Sequence, residues 1–112
     1  MKSKLFIAAV LVSLALPATA DFKTVELAYE AALSGIRIPR NETGTISFKE
    51  CAKCEYKTKR VTASTRYEVN GRAITLEKFR QILGRISDRE NHAVTVLHHL
   101  KDNRVTAVSV YL

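Results

Sequence analysis

The stretch Arg66-Tyr67-Glu68-Val69-Asn70-Gly71-Arg72-Ala73-Ile74-Thr75-Leu76-Glu77-Lys78-Phe79 decides the fold, because three backbone states follow one another within it. Arg66 to Val69 closes a segment rich in Thr, Val and Tyr, side chains that favour a pleated strand. Asn70-Gly71 is a tight-turn pair, since both residues tolerate positive φ. Arg72 to Ile74 is a brief extended return. Thr75 then offers a hydroxyl as helix N-cap, with Glu77 in the first turn, where negative charge is favourable. Leu76, Phe79, Ile82, Leu83 and Ile86 recur at helical spacing, and Lys78, Arg80, Gln81 and Arg85 fall on the other side. Gly84 costs about 1 kcal/mol relative to alanine, so fraying is expected after Leu83.

Downstream, Ser87 to Asn91 is a polar loop. Ala93 to Leu100 and Arg104 to Leu112 are β-branched runs around Lys101-Asp102-Asn103 and read as a closing hairpin. Upstream, Val61, Ala63, Thr65, Tyr67 and Val69 put apolar or small residues at odd positions. Before them the odd positions hold Glu55, Lys57 and Lys59, while Tyr56 is even. The inward parity is therefore expected to switch near Arg60, at a β-bulge or a strand end. Thr45 to Glu50 alternates, with Ile46 and Phe48 on one face. Ile36 to Gly44 reads as a connection through Pro39. Phe22, Val25, Ala28, Tyr29, Ala32 and Leu33 recur at three- and four-residue spacings, predicting a first helix from Asp21 to Ser34, ended by Gly35. The order predicts an α+β domain: a mainly antiparallel sheet of four to five strands, with two helices on one face.

The first twenty residues read as a cleaved signal peptide. Lys2 and Lys4 supply the charged start, and Leu5 to Leu16 the apolar run. Twelve residues make about 18 Å of helix, short of a hydrocarbon core of about 30 Å. Pro17 ends it, and Ala18-Thr19-Ala20 places small side chains before an expected cut at Asp21. Residue 21 is not Cys, so no lipid anchor is expected, and no second apolar stretch predicts a transmembrane anchor. Residues 21–112 are then one domain in the periplasm or the medium, with little room for a deep catalytic cavity.

Export changes the charge. The full chain carries 18 basic and 11 acidic residues; without Lys2 and Lys4 the basic count is 16 and the net charge +5. Outside the cytoplasm such a charge meets acidic proteins or an anionic envelope surface rather than nucleic acid.

Cys51-Ala52-Lys53-Cys54 is the one chemically pointed motif. In an oxidising compartment it reads as a disulfide pinning a hairpin turn, a small closed loop that adds roughly 2 kcal/mol. Pairing Phe48 with Tyr56 also sets Lys49 opposite Glu55, whereas a two-residue loop at Ala52-Lys53 sets Glu50 against Glu55. The longer loop is therefore expected. Two other chemistries use the same pair. Thiol-disulfide exchange draws on Lys53 to favour a thiolate, although exchange motifs usually open a helix. Metal binding would recruit His92, His98 or His99, yet adjacent His98 and His99 face opposite sides of a strand. Covalent haem attachment needs His at position 55, which is Glu55. No cofactor is implied.

Lys57, Lys59, Arg60, Arg66 and Arg72 form the candidate anion-binding surface, interleaved with Tyr56 and Tyr67. There is no Ser/His/Asp constellation, glycine-rich phosphate loop or pair of catalytic carboxylates, so no catalytic residue is nominated.

Two stretches, Cys51-Ala52-Lys53-Cys54 through Arg60-Val61-Thr62-Ala63 and Arg66 through Phe79, resemble small exported proteins of unknown function from Gram-negative bacteria. With Val94 to Leu112 the resemblance covers most of residues 21–112; it implies export and no particular activity. From Tyr67 to about Leu97 the chain is also similar in shape to periplasmic domains of the TolR/ExbD type, without their membrane anchor. The expectation is an exported, non-enzymatic binding or interaction module that meets a protein partner or a second copy of itself.

Overall fold

The computed structural model describes residues 25–112. The expected signal peptide and residues 21–24 lie outside them. The described chain is mixed α+β, with one α-helix and eight strands in two sheets.

Strands β1 (Glu26–Ala32), β7 (Ala93–His99), β8 (Arg104–Val110), β5 (Arg66–Val69) and β6 (Arg72–Ile74) lie side by side in that order as the larger sheet. The smaller sheet is β2 (Ile36–Arg37), β3 (Gly44–Phe48) and β4 (Lys57–Val61). Every pairing is antiparallel except β5 with β8, which is parallel.

The quoted stretch folds as read. Asn70 and Gly71 carry φ of 52° and 82°, the left-handed backbone a two-residue hairpin demands. Asn70 also ties down the end of the chain: its N–H donates to the Val110 carbonyl at 2.9 Å, and its Oδ1 accepts from the Leu112 N–H at 2.7 Å. Thr75 caps helix α1 (Leu76–Gly84) by accepting from the Lys78 N–H at 3.2 Å. Leu76, Phe79 and Leu83 are buried, and the ring of Phe79 lies 5.3 Å from that of Tyr67. The helix ends at Gly84, where the Arg89 guanidinium donates to the Leu83 carbonyl at 2.6 Å.

The expected first helix is a correction. Glu26 to Ala32 is a strand at the edge of the larger sheet, pairing Glu26 with His99 and Ala32 with Ala93. Val25, Leu27, Tyr29, Ala31 and Leu33 alternate with Glu26, Ala28, Glu30, Ala32 and Ser34, a two-residue period as complete as the helical one. Alanine favours a helix locally, but pairing along seven residues satisfies the backbone groups of β1 that face β7 and buries Ala31. The described chain therefore has one α-helix instead of two, plus short 3₁₀ turns at Leu33–Gly35 and Arg89–Asn91.

The closing hairpin carries the one register shift. Leu97 faces Ala107 and His98 faces Val105, so Thr106 is the extra residue of a bulge. The shift lets Val105, Val108 and Val110 all point into the core. The Thr106 hydroxyl bonds the Glu26 carboxylate and so fastens β1 across the sheet. One face of the larger sheet carries Val94, Val96, Val108, Val110 and Tyr67, and against it pack α1 and the inner face of the smaller sheet, Ile36, Ile46, Phe48 and Val61. The expectation of helical cover on one face holds for α1.

Candidate binding surface

Cys51 and Cys54 form a disulfide with their Cα atoms 5.0 Å apart, inside the usual range. The Cys54 N–H donates to the Cys51 carbonyl at 3.1 Å, so the bridge closes a turn centred on Ala52-Lys53. That turn sets the register one residue away from expectation: Phe48 faces Lys57, not Tyr56, and Ile46 faces Lys59. The Glu50–Glu55 clash does not arise, because ladder pairing stops at Phe48 and Lys57. Glu50 instead takes the Lys57 ammonium at 2.6 Å, and that hydrogen bond holds the Lys57 pKa above the ordinary lysine value. Substituting both cysteines by serine is expected to cost about 2 kcal/mol, the chain entropy of so short a loop, measurable by urea unfolding.

The shifted register builds a cationic-aromatic surface. Lys57 and Lys59 share the inward parity of Val61, so no switch occurs near Arg60; β4 simply ends at Val61. Both side chains reach the rim of the core instead of entering it, as long amphipathic side chains do. The ammonium of Lys57 lies 4.9 Å and that of Lys59 5.7 Å from the centre of the Tyr29 ring. Tyr29 rests on Phe48 at 5.3 Å. Alongside, Tyr56 is exposed, with the Arg37 guanidinium 4.4 Å and the Lys49 ammonium 5.3 Å from its ring centre. Such contacts contribute about 0.5–1 kcal/mol each at exposed sites and fix where the charges sit. Arg37, Lys49 and Lys59 have no ion-pair partner among the described residues.

Of the five cations expected to form one surface, Lys57 and Lys59 are in this patch. Arg60 alternates to the other side of β4 and donates to the Asp102 carbonyl at 3.0 Å. Arg66 pairs with Glu68 at 3.3 Å on β5, and Arg72 is exposed on the edge strand β6. Their places are taken by Arg37 and Lys49, and Tyr29 serves beside Tyr56 while Tyr67 is core. The signal for the patch was present in the odd-numbered lysines, which break an otherwise apolar alternation.

The histidines do not converge. His98 is 4% exposed and bonds Asn103 Oδ1 at 2.9 Å, His99 lies on the opposite face beside Asp102, and His92 meets Asp88 at 3.3 Å. No group of three His, Cys, Asp or Glu side chains gathers at metal-binding distance among the described residues.

A cleft of about 930 Å³ opens between the first turn of α1, the loop at Arg40 to Glu42 and the turn from Thr62 to Thr65. Space on this scale exceeds the little room expected of so short a chain. Tyr67 lines it, 3% exposed, with a phenol oxygen that has no hydrogen-bond partner among the described residues. Burial, helped by the negative charge of Glu42, pushes its pKa up to about 12. A tyrosine ionising near 10 when unfolded and near 12 when folded stabilises the fold fully below pH 10 and loses that contribution as pH rises through 12. The stability of the natural protein minus that of Tyr67→Phe should therefore fall between about pH 9 and pH 11 in urea titrations. A flat difference would contradict this.

No family model, no curated protein and no solved structure matches the chain. No helix among the described residues is long and apolar enough to cross a membrane.

Proposed function

We propose that this chain is exported through the signal at residues 1–20 and acts outside the cytoplasm as a small, non-enzymatic binding module. The cationic-aromatic patch docks on an acidic protein surface. The carrying observation is the grouping of Arg37, Lys49, Lys57 and Lys59 over Tyr29 and Tyr56, beside a loop closed by the Cys51–Cys54 disulfide. Three of these four charges, on Arg37, Lys49 and Lys59, have no ion-pair partner among the described residues, so at these three an acidic partner gains attraction without displacing an internal ion pair. The disulfide and the resemblance to small exported proteins both support an oxidising compartment.

The test is a titration of the processed protein with poly-glutamate, with anionic phospholipid vesicles in a parallel arm. Saturable binding to poly-glutamate that weakens with added salt supports the reading. Binding to vesicles alone would move it to the envelope surface, and binding to neither would reject it.

A second reading, thiol-disulfide exchange, is favoured by one observation: both cysteines are exposed. Its measure is the reduction potential. A structural bridge is expected below about −300 mV, and a value near −120 to −200 mV would support exchange instead.

A further inference from the structure

We propose that the cleft beside α1 is a second binding site, shaped for a short peptide carrying both a free ammonium and a free carboxylate. The inference stands apart from the patch, which lies on other elements. Four charged side chains line this one cleft, Arg40 and Arg80 against Glu42 and Glu77, and none is ion-paired with another among the described residues. Opposite charges held near one another without closing are a poor site for a polyanion or a polycation. They suit a ligand that brings one charge of each sign.

The floor supplies an independent observation. The Tyr67 hydroxyl is buried, lacks a partner and remains protonated at neutral pH. An unsatisfied buried donor costs free energy, which a ligand carbonyl or carboxylate oxygen recovers by accepting from it. The α1 first turn, at Thr75 to Glu77, adds backbone N–H groups at the positive end of a nine-residue helix. The opposite wall is rigid: Thr65 Oγ1 accepts from the Thr62 N–H at 3.0 Å and donates to the Val105 carbonyl at 2.6 Å. About 930 Å³ is at the upper end of small-ligand sites, more than one amino acid fills. The charged and amide lining disfavours an apolar ligand. A peptide of a few residues meets all of these conditions.

The experiment follows backbone amide resonances of the processed protein during titration with trialanine, and separately with N-acetyl-trialanine amide, which lacks both end charges. Trialanine is expected to shift Thr75 to Glu77 and Arg40 to Glu42 saturably, and the blocked peptide to bind about tenfold more weakly or worse. Tyr67→Phe keeps the buried ring, removes the unpartnered hydroxyl and should weaken trialanine about tenfold while the melting transition stays the same or rises. Glu42→Gln, at an exposed position, gives a second reading that does not depend on the core. The proposal is overturned by the absence of a saturable shift up to about 10 mM trialanine. It is equally overturned if the blocked peptide binds as tightly, or if both variants bind like the natural protein.

Discussion

Replacing Phe48 by alanine is expected to destabilise the domain by about 3–5 kcal/mol, the largest effect of any single substitution considered. Phe48 is fully buried at the end of the β3–β4 ladder, where its ring supports Tyr29 of the larger sheet. It therefore joins the two sheets, and its removal leaves a cavity that neither can close without shifting the other. Small domains have a thin margin, and 5 kcal/mol is the lower end of ordinary total stability. Urea unfolding followed by far-ultraviolet circular dichroism measures the loss. Phe48→Leu retains most of the volume and should cost much less. A loss below about 1 kcal/mol for the alanine variant would mean the sheets are held together elsewhere.

The second large effect concerns the patch. Changing Arg37, Lys49, Lys57 and Lys59 together to glutamine should weaken poly-glutamate binding by between about 4-fold and about 700-fold. This follows from about 0.2–1 kcal/mol per exposed charge and a tenfold change per 1.4 kcal/mol. Stability should fall as well, because four contacts with the tyrosine rings at about 0.5–1 kcal/mol each are lost. Circular dichroism must therefore first establish that the variant is folded at the titration temperature. Changing Arg60, Arg66 and Arg72 instead removes almost as much charge from other faces. If that triple variant weakens binding equally, the attraction comes from net charge and not from the patch.

The sequence is legible where one local signal stands without a rival. Asn70-Gly71, Thr75 and the stripe through Leu76, Phe79 and Leu83 each admit a single conformation, and all three appear as read. Glu26 to Ala32 admits two, and the decision lies with β7, far along the chain. The candidate surface is half legible for a related reason. Lys57 and Lys59 stand out in sequence, but Arg37 and Tyr29 reach them only because β2 and β1 are brought alongside by non-local pairing. The one-residue error at the Cys51–Cys54 turn has a simpler origin. A Glu50–Glu55 clash excludes this register only if pairing continues to the turn, whereas the ladder stops at Phe48 and Lys57 and Glu50 pairs with Lys57.

The edge position of β1 bears on the order in which the chain folds. Its sheet partner is β7, so Glu26 waits for His99 and Ala32 for Ala93 before the larger sheet is complete. Contacts between such distant positions close late, since the intervening loop entropy is lost before the pairing returns anything. A nascent chain lacking its C-terminal hairpin cannot finish this sheet. On the proposed export route, that delay keeps the polypeptide threadable until its last strands have been made, and folding finishes only after passage.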